Sequence, residues 1–115
     1  ADATTSRSPH IDREVAAFGG MLYFRLPDDR SRGADLELFR LRDGAKREYG
    51  VNRAVPLESL ERVKTIAYAP NMLVLFQNGR DSIHGVSPRS ATPHPRLHIN
   101  FMAQFPAKLF TTDNA

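Results

Sequence analysis

The chain has 115 residues, 41% of them hydrophobic and 25% charged, with a formal net charge of +3 and no cysteine. That is room for one domain with one core, and it excludes disulfides and thiolate metal ligands. Basic residues are interspersed with acids, as in Asp28-Asp29-Arg30 and from Glu58 to Lys64, and no aromatic-rich basic stripe is present, so neither nucleic acid nor a membrane is an expected partner.

Residues 1–9 are small and polar and predict a loop leading into His10. The run from Ala17 to Leu26 alternates as a strand, with Leu22, Phe24 and Leu26 on one face and Met21, Tyr23 and Arg25 on the other. Turn residues from Pro27 to Gly33 precede a second strand, Asp35–Leu41. Residues 42–60 read as a long excursion, with a helical turn expected at Leu57–Arg62. Two β-rich runs follow, Val63–Ala69 and Asn71–Phe76, broken by Pro70. Asn78-Gly79 marks a tight turn before a short strand, Asp81–Val86, that carries His84. Three prolines keep Ser87–Pro95 a loop.

The last strand, Arg96–Phe105, alternates cleanly. Arg96, His98, Asn100, Met102 and Gln104 share one face; Leu97, Ile99, Phe101, Ala103 and Phe105 share the other. The first set suits a wet pocket and the second needs a cover. No long helix in the chain offers one, so upstream helices, a partner subunit (a homo-oligomer included) or an exposed apolar surface is expected. The chain opens on Ala1 rather than Met, and the reading is one domain over 1–115, compatible with a piece of a longer chain. Its default location is cytoplasmic.

Candidate chemistry sits at three places. His10 and Asp12 are two residues apart, so on an extended segment both project to one side and can reach one metal. Alone, that pair reads more readily as a loop histidine beside a solvated acid. His84 lies between apolar residues on a strand, where an imidazole needs either a core partner or a ligand. Two imidazoles and one carboxylate make the set that binds one face of a non-haem Fe(II) and leaves the rest open. Arg96 opens the final strand twelve residues after His84, and a guanidinium fixed on a strand suits capture of an organic acid.

Taken together, PHID (9–12), GGMLYFRLP and GADLELF, VLFQN (74–78), SIHGVSPR (82–89) and PRLHINF (95–101) resemble the Fe(II)- and 2-oxoglutarate-dependent dioxygenases. The likeness is to the prolyl-4-hydroxylase-like and phytanoyl-hydroxylase-like branches and covers nearly all of residues 9–105. It implies an all-β double-stranded β-helix, or jelly roll, of about seven or eight antiparallel strands, with flanking helices largely absent. It also implies Fe(II) on His10, Asp12 and His84, 2-oxoglutarate with its distal carboxylate on Arg96, and ascorbate as an accessory reductant. The implied activity is hydroxylation of a C–H bond in a peptide or small molecule, with 2-oxoglutarate decarboxylated to succinate. Two positions depart from the pattern. His98 stands where many members carry serine or threonine, and no tyrosine precedes His10, so His98 and Tyr23 are the candidate additional contacts to 2-oxoglutarate.

Secondary candidates are Asn100 as a pocket donor, Asn78 as a turn residue, Arg89 near the mouth and His94 on the surface. Residues 42–60 and 87–95 are the expected substrate loops. A cupin-type metal protein is the first rival, but its His-x-His and following glutamate are missing. The second is a truncated or degenerate jelly roll that binds metal or a partner without catalysis.

Overall fold

Alternating side chains and frequent turn residues give this chain strands and almost no helix. A computed structural model describes residues 7–47 and 50–112. The strands are β1 Arg7–His10, β2 Ala16–Tyr23, β3 Leu36–Leu41, β4 Leu60–Ile66, β5 Leu73–Gln77, β6 Ile83–Val86 and β7 His98–Gln104. They form two antiparallel sheets, one in the order β1-β6-β3-β4 and one in the order β5-β2-β7. No helix among the described residues is long and apolar enough to cross a membrane.

The facing sides of the sheets make the main core. Met21, Tyr23 and Val74 from the three-stranded sheet pack with Leu36, Ala34 and Tyr68, and Leu38, Phe76 and Val86 border them. Leu36 is fully buried, a burial that contributes about 2 kcal/mol. A second cluster of Ile11, Val55, Leu60 and Ile83, with Phe39 and Phe110 against it, lies where the segment before β4 folds back. That segment is tied down by bonds from Asn52 N–H to the Ile11 carbonyl and from Val55 N–H to the Pro9 carbonyl.

The two sheets treat solvent differently. Exposed ion pairs cross from β3 to β4, Arg40 to Glu61 at 2.6 Å and Arg62 to Glu37 at 2.7 Å. The outer side of the three-stranded sheet instead presents Phe18, Leu73, Leu75, Ile99, Phe101 and Phe105, all exposed. They share one side by register, since Gly20 pairs with both Leu75 and Phe101, and Leu22 with both Leu73 and Ile99. A Cβ at Gly20 would sit 2.3 Å from the Phe101 ring, so the exposed Phe101 and Leu75 side chains close over this glycine. Nothing among the described residues covers this side.

Several elements differ from the sequence-based expectation. Of the loop expected over 1–9, residues 1–6 lie outside the described residues, and Arg7–His10 form strand β1 through pairing with β6. The helical turn expected at Leu57–Arg62 is one short 3-10 turn, Leu57–Ser59. β4 then starts early, because Leu60 pairs with Leu41 and is buried. Asn78-Gly79 does not close a hairpin: β5 and β6 belong to different sheets, and the turn is a corner from one sheet to the other. Asn78 itself is buried there, donating from Nδ2 to the carbonyls of Arg13 and Ala16.

Candidate metal centre

The β1–β6 ladder sets His10 directly across from His84. Asp12 follows β1 and turns its carboxylate between them, with Oδ1 3.5 Å from His10 Nε2 and Oδ2 3.4 Å from His84 Nε2. One ligand atom from each of the three lies within 4.8 Å of the others. Both histidines are buried, and the Asp12 side chain is 13% exposed. The i and i+2 spacing of His10 and Asp12 and the distant His84 therefore converge as the sequence anticipates.

The tautomers follow from the second hydrogen bond each ring makes. His10 Nδ1 lies 2.8 Å from the Ser8 carbonyl, and His84 Nδ1 lies 2.8 Å from the Ser82 carbonyl. A carbonyl only accepts, so each Nδ1 carries a proton, and the Nε2 facing Asp12 is the position open to a metal ion or a second proton. Lone pairs and a carboxylate repel unless a cation or protons lie between them. Ligand atoms about 2.1 Å from a metal stand about 3.0 Å apart at right angles and about 3.4 Å apart in a tetrahedron. The spacings to Asp12 are of that size, and longer than the roughly 2.8 Å of a charge-assisted hydrogen bond. The three side chains are donors of the type that could hold a metal ion.

Electrostatics favour the ligand forms. Burial pushes the Asp12 carboxyl up, but its hydrogen bond to His10 and the charges of His84, His10 and Arg7 outweigh this and leave it below the usual carboxylate value. His84 is held below the ordinary imidazole value chiefly by burial, aided by His10 and Arg7 and opposed by the Ser82 carbonyl and Asp12. A deprotonated carboxylate and a neutral imidazole are what metal binding requires.

A cavity of about 410 Å³ between the sheets contains this centre, and Arg96, His98, Asn100 and Arg7 also line it. Arg96, just before β7, is braced from behind. Its Nε and Nη2 donate to the Ala34 carbonyl at 3.3 and 3.1 Å, and its charge lies over the rings of Tyr68 and Tyr23 at 5.1 and 5.3 Å. Nη1 stands 3.0 Å from His98 Nδ1. The guanidinium can only donate, so His98 accepts at Nδ1 and carries its proton on Nε2. Burial first, then Arg96, holds His98 below the usual imidazole value and so keeps it neutral. Tyr23 is fully buried beneath Arg96, with its hydroxyl 3.7 Å from Met21 Sδ, and does not line the cavity.

Arg89 is neither solvated nor at the mouth. It is buried, with Nη2 2.6 Å from Asp29 Oδ2 and Nε donating to Ser31 Oγ at 3.1 Å. Burial would raise the Asp29 carboxyl, yet hydrogen bonds from Ser31 and the Arg89 guanidinium bring it down to about 2. The pair fastens the loop after β2 to the loop after β6. Two residues of the site went unread in the sequence. Tyr68 supports Arg96 and accepts the Leu97 N–H at 2.9 Å, but it sits in an apolar run with no local signal. Arg7 precedes the His-x-Asp motif in a stretch that offers no periodicity.

A scan against protein-family models finds no match to this chain, and comparisons with curated proteins and with solved structures find none either.

Proposed function

We propose that the protein is an Fe(II)- and 2-oxoglutarate-dependent dioxygenase with a jelly-roll core, hydroxylating a C–H bond of a small molecule or peptide. The observation that carries this reading is the sharing of one cavity by the His10–Asp12–His84 centre and the braced Arg96. The strand order, β1-β6-β3-β4 against β5-β2-β7 with the chain repeatedly changing sheets, supports the jelly-roll part.

His10, Asp12 and His84 would hold the iron, which together with 2-oxoglutarate and dioxygen supplies the oxidising power, releasing succinate and CO2. The chain's own residues do the placing. Arg96, held by the Ala34 carbonyl, His98 and the Tyr23 hydroxyl, would turn its remaining N–H donors to a carboxylate. His98 adds its Nε2–H as a neutral donor beside that grip. Met21, Leu36 and Phe76 would give the carbon chain of the co-substrate an apolar wall between Arg96 and the imidazoles.

The test is anaerobic addition of Fe(II) and then 2-oxoglutarate, followed by visible absorption. A charge-transfer band that His84→Ala abolishes is the expected result. Its absence from well-folded protein overturns the reading. The uncovered apolar side of the three-stranded sheet would then favour a metal-holding interaction module without turnover.

A further inference from the structure

Arginines that meet acids are common in this fold. Arg25 and Arg89 both approach Asp29, Arg40 meets Glu61, and Arg62 meets Glu37. Others have no carboxylate in ion-pair range among the described residues, and two of these, Arg96 and the exposed Arg7, line the central cavity. The cavity's carboxylate, Asp12, is engaged by two imidazoles. Arg96 comes from the end of the three-stranded sheet and Arg7 from β1 of the four-stranded sheet, so two cationic groups reach one space from opposite walls.

We infer that the cavity is built for two anions, and that Arg7 receives an acidic group of the substrate itself, a carboxylate, sulfate or phosphate on a small organic molecule. The inference rests on the oxygenase reading for what Arg96 holds: a dicarboxylate spanning Arg96 and the metal leaves Arg7 unanswered. Arg7 stands next to the metal centre, near enough for its charge to act on both Asp12 and His84. It also borders a second hollow of about 290 Å³, shared with Ser8, His10, Asn52 and Ala54. That hollow gives the body of a substrate somewhere to lie while its acid group is held within reach of the centre. Asn52 and Ala54 belong to the 42–60 excursion, where a substrate-reading loop was expected. A guanidinium suits such a group because its planar donors match the oxygens of an acid.

Calorimetry on the 115-residue chain tests this with benzoate, its neutral counterpart benzamide, and inorganic phosphate. Each is titrated into metal-loaded protein saturated with 2-oxoglutarate and, separately, into metal-free protein. Expected are saturable binding of benzoate or phosphate but not of benzamide, a loss of about tenfold or more in Arg7→Gln, and partial recovery in Arg7→Lys. The affinity for 2-oxoglutarate should stay within about twofold in Arg7→Gln, as expected where the co-substrate's grip lies at Arg96. Anion binding unchanged in Arg7→Gln, equal binding of benzamide, or a parallel loss of 2-oxoglutarate overturns the inference. If 2-oxoglutarate fails to bind wild-type protein while Arg7-dependent anion binding persists, the oxygenase reading falls and the anion seat stands.

Discussion

His10 and His84 face each other across the β1–β6 ladder with ring centroids 4.6 Å apart, and each gives its Nδ1 proton to the carbonyl two residues behind it. Matched bonds on the far side of two rings fix both tautomers before any ligand arrives, which is the usual office of groups behind a metal-binding imidazole.

Removing a donor should therefore act on metal and leave the fold. Asp12→Ala and His84→Ala should each weaken divalent-metal binding at least about a hundredfold, measured by calorimetry with Fe(II) or Mn(II). Far-UV circular dichroism should be preserved, since neither side chain belongs to a hydrophobic cluster. Full metal affinity in either variant would remove that residue from the centre.

The spacing of β1 and β6 is a second handle on the same site. A Cβ at Gly85 would lie 2.7 Å from the Arg7 carbonyl oxygen, so Gly85→Ala must push the strands apart. His10 rides on the displaced strand. Metal affinity should drop about tenfold, with a stability loss of about 1–3 kcal/mol in urea denaturation. A variant that loses stability but keeps its metal affinity would show that the ladder does not set the His10 position.

Arg96→Gln should weaken 2-oxoglutarate by about 10- to 100-fold, the value of a charge-assisted hydrogen bond, while metal affinity holds. Equilibrium titration of the anaerobic metal complex reads both quantities. Because Arg96 also packs over Tyr23 and Tyr68, thermal unfolding of the variant should be followed in parallel.

The buried Asp29–Arg89 pair makes a prediction about acid. Asp29 is depressed to about 2 in the folded protein, against about 3.9 in an unfolded chain. Its stabilisation is therefore complete above the unfolded value and is lost as pH falls through about 2. Asp29→Asn should cost about 3 kcal/mol at neutral pH, since it leaves Arg89 buried without its partner. The gap between variant and wild type should be flat from pH 5 to 8 and narrow below pH 4. A gap that widens on acidification would assign the low value to another cause.

The uncovered side of the three-stranded sheet should be adhesive. The isolated chain is expected to bind a hydrophobic reporter dye, and Leu75→Lys with Ile99→Lys should cut that binding severalfold. Both residues are exposed, so the melting temperature should move by only a few degrees. Unchanged dye binding would place the reporter elsewhere.

How far the sequence could be read depended on the reach of each interaction. β7 was legible because its alternation is complete: His98, Asn100 and Met102 do line the cavity, while Ile99, Phe101 and Phe105 face outward. The convergence of His10, Asp12 and His84 was legible only from residue type and the family resemblance, since no local pattern joins residues 72 or more positions apart. β1 was not, because Arg7–His10 has no apolar period and becomes a strand only through β6. Arg89 was misread because its partner, Asp29, lies 60 residues away in a loop, and no short window contains both. The helical turn at Leu57–Arg62 gave way to β4 because Leu60 gains more from Leu41 and the second cluster than from a lone turn.

β7 separates the cavity from the uncovered side by the thickness of one strand. Slipping it by a single residue would bring Ile99 and Phe101 into the cavity and send His98 and Asn100 outside. Bonds at both ends resist this: Phe24 N–H to the Leu97 carbonyl at 2.9 Å, Leu97 N–H to the Tyr68 hydroxyl at 2.9 Å, and Phe105 N–H to the Val15 carbonyl at 2.8 Å. For anyone lengthening or trimming the connection between β6 and β7, the count matters as odd or even wherever the change is absorbed by the strand. A shift by two preserves the division of faces, and a shift by one turns the sheet inside out.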